Sequence, residues 1–258
     1  YNIISLSMKI FWINIDKNVE RSSFMKKQFE DLNLNDNIRV DAITPDNMNN
    51  LLHKNNFPLK CGFIDCKNCD IETACILSHL KAIESGYDSN DEWFMVMEDD
   101  TIIPFDINFD NLLKFIPDEI EIVQLFVSMP GQTAMLKETY KKNVSFVPWG
   151  CFKCIFPCAA AYLVRNKGAK KLIDNFKNTD GTWDFSKSKS CKLADVLIFQ
   201  TCKTLTSTYP LYYSNIKLGS TIHNDHLDLH QQGIDSILKF HKEFDPLSHP
   251  FIKKIFNK

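Results

Sequence analysis

An excess of positive charge is missing from this chain of 258 residues. Lys and Arg number 30 against 32 Asp and Glu, for a net charge of −2 and a pI near 6.4. No basic stripe interrupts that balance, which argues against nucleic acid as the main partner, since gripping a phosphate backbone takes clustered cations. Long apolar runs are also missing. None approaches the roughly 18–20 residues that cross a bilayer, so no transmembrane segment is expected. The opening stretch is broken by Ser5, Ser7 and Lys9 and continues into a strand-like run. No export signal is expected there, and a cytoplasmic location follows as the expectation. There is no internal repeat and no long low-complexity tract.

What is present is core-forming material. Hydrophobic residues make up 44% of the chain, with 20 Phe. This suits one large domain, or a domain with a small appendage. Nine cysteines are an odd and fairly high count. Cys66-x-x-Cys69 and Cys151-x-x-Cys154 have the spacing of zinc pairs, and disulfides between the two clusters are a further possibility. Reduced cysteines used as small apolar filler are the preferred reading for an odd count without an export signal.

Lys9 to Ile15 predicts a first buried strand. Val19 to Leu32 predicts a helix, with Met25, Phe29 and Leu32 on one face. Arg39 to Ile43 predicts a second strand, and the Asn-, Pro- and Cys-rich stretch from Thr44 to Asp70 a loop. Asp70 is a suitable N-cap for a helix from Ile71 to Glu84 that stops near Gly86. Further strands are predicted at Trp93–Met97, Glu121–Val127, Ala159–Val164 and Tyr209–Tyr213. Further helices are predicted at Asn166–Phe176, Ala194–Cys202 and Gly233–Phe244. Strands alternating with helices imply an α/β fold, a mostly parallel sheet covered on both faces.

The most informative motif is Glu98-Asp99-Asp100, which closes the apolar run Trp93-Phe94-Met95-Val96-Met97. Three adjacent carboxylates at the end of a buried strand repel one another and call for water or a cation. Hard divalent ions take such oxygen ligands, usually together with substrate phosphates. Ligands in α/β sheets bind beyond the carboxyl ends of strands. The triplet therefore reads as a site for a metal carrying a phosphorylated ligand, against the alternative of an acidic surface turn.

Several motifs occur in a fixed order: Ile13-Asn14-Ile15-Asp16 followed by Glu20-Arg21, then Glu72-x-x-Cys75-x-x-Ser78-His79, then Glu98-Asp99-Asp100, then Tyr162 with Gly168-Ala169, and last Asp195. The order resembles glycosyltransferase family 25, which includes bacterial lipopolysaccharide glycosyltransferases and collagen galactosyltransferases, over about residues 9 to 225. Asp16-Lys17 stands where the family often has Arg, and Thr73-Ala74 replaces its usual small-Gly step. The resemblance implies a GT-A type fold, a Rossmann-like domain over residues 1–228 with a C-terminal helical segment, 229–258, packed on it. It implies a UDP-sugar donor, Mn²⁺ or Mg²⁺, and a glycan or protein-linked hydroxyl as acceptor. Asp100 is then the best direct metal ligand, with Glu98 or Asp99 on the ribose or acting through water. His79 is a pyrophosphate or ribose contact or else a polar helix-face histidine, and Ser78 a weaker contact or a helix-surface serine. Asn14 and Asp41 lie past the first two strand ends, where a uridine usually sits, or are ordinary turn residues. Asp195 is the candidate general base of an inverting transfer, or an N-cap. In His223-Asn224-Asp225-His226, a histidine, His223 or His226, is a plausible further metal ligand. Trp149, Trp183, Tyr212 and Tyr213 are candidates for an acceptor platform or for the core. The enzyme expected is a hexosyltransferase for galactose or glucose. The alternatives are a non-catalytic nucleotide-sugar-binding module of the same fold, or a metal-dependent phosphoesterase.

Overall fold

The run Ile10-Phe11-Trp12-Ile13 contains no polar residue, which suits a strand covered on both faces. In the computed structural model it forms β1 (Ile10–Asn14), all five residues buried. The structure describes residues 8–53, 69–151, 154–186, 188, 193–219, 227–246, 249–250 and 252–256. After β1 come α1 (Val19–Asp31), β2 (Asn37–Asp41), α2 (Cys69–Asp88), β3 (Trp93–Glu98), β4 (Thr101–Ile102), α3 (Phe109–Leu113) and β5 (Ile122–Gln124). The chain continues through α4 (Pro130–Tyr140), β6 (Phe146–Pro148), β7 (Ala161–Arg165), α5 (Asn166–Phe176) and α6 (Ala194–Thr201). It ends with β8 (Thr204–Ser207), β9 (Tyr213–Ser214), α7 (Leu227–Glu243) and α8 (Ile252–Ile255).

Seven strands form one sheet in the order β2-β1-β3-β7-β5-β8-β6, and β4 pairs with β9 in a separate two-stranded ribbon. Strands β2, β1, β3, β5 and β8 run in one direction; β7 and β6 run against them. This is the expected α/β architecture, a mostly parallel central sheet flanked by helices.

The two-residue period of a strand divides the core in two. Ile10 and Trp12 of β1 join Met95, Met97 and Leu163 on one face, covered by Met25 and Phe29 of α1 and by Ile234, Ile237 and Phe240 of α7. Phe11 and Ile13 join Phe94, Val96, Tyr162 and Val164 on the other, covered by α2, α5 and α6. Each fully buried large apolar side chain contributes about 1.5–3 kcal/mol. The central strands therefore anchor the fold, and their carboxyl ends are rigidly placed.

Several boundaries differ from expectation. Helix α2 runs through Gly86 to Asp88, because Gly86 is there to let the helix lie on Phe94: a Cβ would sit 2.2 Å from a ring carbon. Asp70 is accordingly inside the first turn of α2, not at its cap. Helix α7 begins six residues before Gly233, whose missing Cβ admits the Ser128 carbonyl at what would be 1.7 Å. In place of the strand expected at Tyr209–Tyr213, β8 ends two residues earlier, at Ser207, and the short β9 begins at Tyr213. Thr204-Leu205-Thr206-Ser207 looks too polar for a buried strand, but its hydroxyls are all satisfied. Thr206 Oγ1 donates to Gln124 Oε1 at 2.8 Å, Ser207 Oγ to the Tyr209 carbonyl at 2.7 Å and Thr204 Oγ1 to the Phe199 carbonyl at 3.0 Å.

Candidate active site

Strand register brings the first candidate residues to one rim. Asn14 ends β1 opposite Asp41 at the end of β2, and Ile13 lies beside Glu98 at the end of β3. Beyond Glu98 the chain turns through Asp99 and Asp100 into β4, and the Asp100 carbonyl accepts the Asn215 N–H at 2.6 Å.

The three acids of the triplet have different surroundings. Asp99 is buried and fully engaged: Oδ1 accepts from Arg21 Nη1 and Oδ2 from Asn14 Nδ2, both at 2.6 Å. Arg21, itself buried on α1, also donates to the Gly219 carbonyl and lies 3.5 Å from Asp100 Oδ2. Burial works against its charge, but Asp100 and Asp99 outweigh burial and push its pKa up. Asn14 accepts in turn from Arg39 Nε at 2.8 Å, and Arg39 reaches Asp41 and Asp16. Asp41 is otherwise exposed, and its carbonyl accepts from Lys81.

Asp100 is the frustrated member. Its Oδ1 is buried with no hydrogen-bond partner among the described residues. Burial and then the charge of Glu98 push its carboxyl up to about 7, against a smaller opposing pull from Arg21. Among the described residues, Asp99 and Asp100 thus share the Arg21 guanidinium, while Glu98 faces His79.

Glu98 keeps a third of its side-chain surface open, and its Oε1 lies 3.1 Å from His79 Nε2. Burial raises this carboxyl, but the His79 hydrogen bond and the charges of His79, Arg21 and His230 carry it below its ordinary value. His79, on α2 and almost wholly buried, is fixed on its other side by the Tyr162 hydroxyl at 3.0 Å from Nδ1. Cys75 lies one helical turn before His79 and completes a cluster with it and Glu98.

Asp195 is the second residue of α6 and is buried. Its Oδ2 accepts the Cys158 N–H at 2.9 Å and its Oδ1 the Val196 N–H at 2.8 Å. Burial pushes its pKa up, the two N–H groups oppose that, and the Glu98 charge adds to the rise. Glu72 on α2 feels Asp195 in the same way, after burial. Cys158 donates to Asp195 from a backbone φ of 117°, a region that side-chain-bearing residues rarely adopt. Ser78 is engaged elsewhere: its hydroxyl donates to the Ala74 carbonyl and accepts the Ile43 N–H at 2.8 Å, fastening the loop after β2 to α2. His223 and His226 lie outside the described residues. Trp183 and Tyr212 are buried in the core, whereas Trp149 and Tyr213 are half-buried. Among the described residues, Cys75, Cys154, Cys158 and Cys202 are free thiols.

A sequence model of the family described as Glycosyltransferase family 25 (LPS biosynthesis protein) matches residues 7–187. The chain belongs to glycosyltransferase family 25. No curated protein sequence matches it. The matched span holds β1, the Cys75-x-x-Ser78-His79 segment of α2 and the acid triplet, so membership of family 25 makes this rim the candidate active site of a glycosyltransferase, with a sugar donor and an acceptor. No helix among the described residues is long and apolar enough to cross a membrane.

The rim suits a hard divalent cation in one concrete respect: Asp100 Oδ1 lacks a partner beside a second, partly open carboxylate, Glu98. Among the described residues, those two oxygen donors are the ones that would hold such an ion. Sequence reasoning gave no role to Arg21, Arg39, Tyr162, Cys158 or His230. Arg21 stands in the first of the ordered motifs and Tyr162 in a later one, which were the available signals. The partners of Arg21 lie 78 and 198 residues away, and no local pattern reveals that.

Proposed function

We propose that this family 25 member is a metal-dependent, inverting hexosyltransferase that moves galactose or glucose from a UDP-sugar to a hydroxyl of a glycan or protein-linked acceptor, on a GT-A type fold. The observation that carries the reading is Asp100: a carboxyl with one buried oxygen that has no partner among the described residues, next to Glu98, at the carboxyl ends of β1 and β3 where α/β sheets take their ligands. Asp100 and Glu98 would hold Mn²⁺ or Mg²⁺. Such an ion, when bound, neutralises charge developing on the diphosphate of the leaving UDP.

The chain's own residues supply the rest. Arg21 and Asn14 immobilise Asp99, so the turn that presents Asp100 cannot swing away. His79 orients Glu98 and is in turn fixed by Tyr162. Asn14 and Asp41 border the place for the nucleoside. Asp195 is the base that takes the acceptor hydroxyl proton. Burial makes it a stronger base than an exposed carboxylate, and its two backbone N–H contacts hold the carboxylate in one orientation while each oxygen keeps a free lone pair.

The test mixes UDP-hexoses with Mn²⁺ and an acceptor hydroxyl and measures released UDP. Asp100→Ala is expected to abolish both transfer and donor hydrolysis, a loss of at least about 10²–10³-fold, while circular dichroism remains that of the folded protein. Full activity in folded Asp100→Ala overturns the reading.

A further inference from the structure

Cys75 and His79 stand four residues apart on α2, so both side chains leave the helix on the same face. That face meets the end of β3. There Cys75 Sγ, a ring nitrogen of His79 and a carboxylate oxygen of Glu98 all lie within 4.8 Å of one another. His79 is held from behind, with Nδ1 on the Tyr162 hydroxyl at 3.0 Å and Nε2 turned toward Glu98 at 3.1 Å. An outer hydrogen bond on one ring nitrogen, fixing the tautomer and aiming the other, is how metal-binding imidazoles are oriented. Cys75 is half-buried, whereas its neighbours Ala74, Ile76 and Leu77 are packed in the core. Burial first, and then the charges of Glu98, Asp195 and Glu72, push the Cys75 thiol up, so without a cation beside it the group stays a thiol.

We propose that Cys75, His79 and Glu98 form a binding site for a thiophilic divalent cation of the zinc type, distinct from the oxygen-only position at Asp100. A thiolate, an imidazole and a carboxylate are a zinc donor set, with three protein ligands and the fourth position left to solvent. Binding deprotonates the Cys75 thiol, and the proton passes to solvent. Mn²⁺ and Mg²⁺ prefer all-oxygen surroundings, so the two positions sort ions by softness. Glu98 belongs to both donor sets. An ion on the Cys75 side therefore competes for the carboxylate assigned above to the donor metal, a consequence that rests on the proposed function, whereas the site itself does not.

Co²⁺ is the probe, titrated into metal-stripped, reduced protein and followed by absorption. One equivalent is expected to give a near-ultraviolet thiolate-to-metal band. Zn²⁺ should bleach that band, and a hundredfold excess of Mn²⁺ should leave it. Cys75→Ser, checked for folding by circular dichroism, is expected to lose it. Tyr162→Phe is expected to weaken Co²⁺ binding by about 10-fold through the freed imidazole. The band is expected to persist in Asp100→Asn and in the double variant Cys151→Ser/Cys154→Ser. No band in the wild type overturns the proposal. So does an undiminished band in Cys75→Ser, or a band lost only when Cys151 and Cys154 are replaced. Because the readout is spectroscopic and Asp100→Asn retains it, failure of sugar transfer and failure of this site are separable results.

Discussion

At the rim, Asp99 and Asp100 share one guanidinium, Glu98 faces His79, and one Asp100 oxygen has no partner among the described residues; beneath α7, Tyr140, Tyr209, Phe240 and Phe244 pack together with ring centroids 5.2–5.7 Å apart. The aromatic cluster buries flat apolar surface in edge-on and tilted contacts, each worth about 0.5–1.5 kcal/mol beyond its area. The rim concentrates like charge where water is scarce, which costs stability. The second region compensates for the first. A fold with the acids alone would not keep them, and one with the rings alone would have no electrostatic reason to bind anything.

The comparison is broken most severely at Arg21. Arg21→Ala leaves Asp99 buried with Asn14 as its remaining partner, and is expected to lower the unfolding free energy by about 3–5 kcal/mol in urea titrations, with transfer activity lost as well. Phe240→Ala, deep among the rings, is expected to cost a similar about 3–5 kcal/mol, but to leave the activity of the protein that remains folded intact. If both variants lose activity in proportion to stability alone, the division between the two regions fails.

Asp100 sharpens the contrast through pH. Its folded pKa of about 7 lies above the ordinary value of 3.8, so between those limits the native state holds a proton that the unfolded chain gives up. Stability from this group is complete below about pH 4 and is lost as the pH rises to about 7. Asp100→Asn does not titrate. Measured in chelator, it should match or nearly match the wild type at pH 4 and exceed it by on the order of 1–3 kcal/mol at pH 8. A constant difference across that range would show that Asp100 does not carry the strain assigned to it.

The smallest effect concerns Cys158. Glycine adopts a φ of 117° without penalty, so Cys158→Gly is expected to gain about 1 kcal/mol from relieved strain, partly offset by the greater entropy of the unfolded chain. A destabilised variant would mean that the thiol side chain contributes more than its backbone costs.

The elements with a clean period were legible in the sequence. β1, α1, β3 and α5 stand within two residues of expectation at each end, because apolar alternation or helical spacing is local. α4 was passed over although Pro130 occupies its first turn, a position proline favours. β8 was hidden because its threonines and serine look polar until Gln124 and backbone carbonyls from other elements appear beside them. At the site, the triplet announced itself through the conflict between charge and burial, but not how its members divide. That Asp99 is tied down while Asp100 is left open depends on Arg21 and Asn14, which arrive from strands and helices far along the chain. Ser78 illustrates the converse: it neighbours His79 in sequence, yet its hydroxyl serves the loop after β2.

Strand β7 runs against both of its neighbours, from Ala161 beside Met97 to Arg165 beside Trp93. The chain leading into it therefore arrives at the acid-bearing rim, where the Ala160 carbonyl accepts from the Glu98 N–H and from Thr101 Oγ1. The chain leaving β7 departs at the far rim. A residue inserted just ahead of Ala161 would shift the register against Glu98 directly, while one inserted after Arg165 would enter at the rim away from the acids. Length variation across this single strand is thus tolerated on one side and not on the other, and grafted segments intended to leave the acids undisturbed belong downstream of β7.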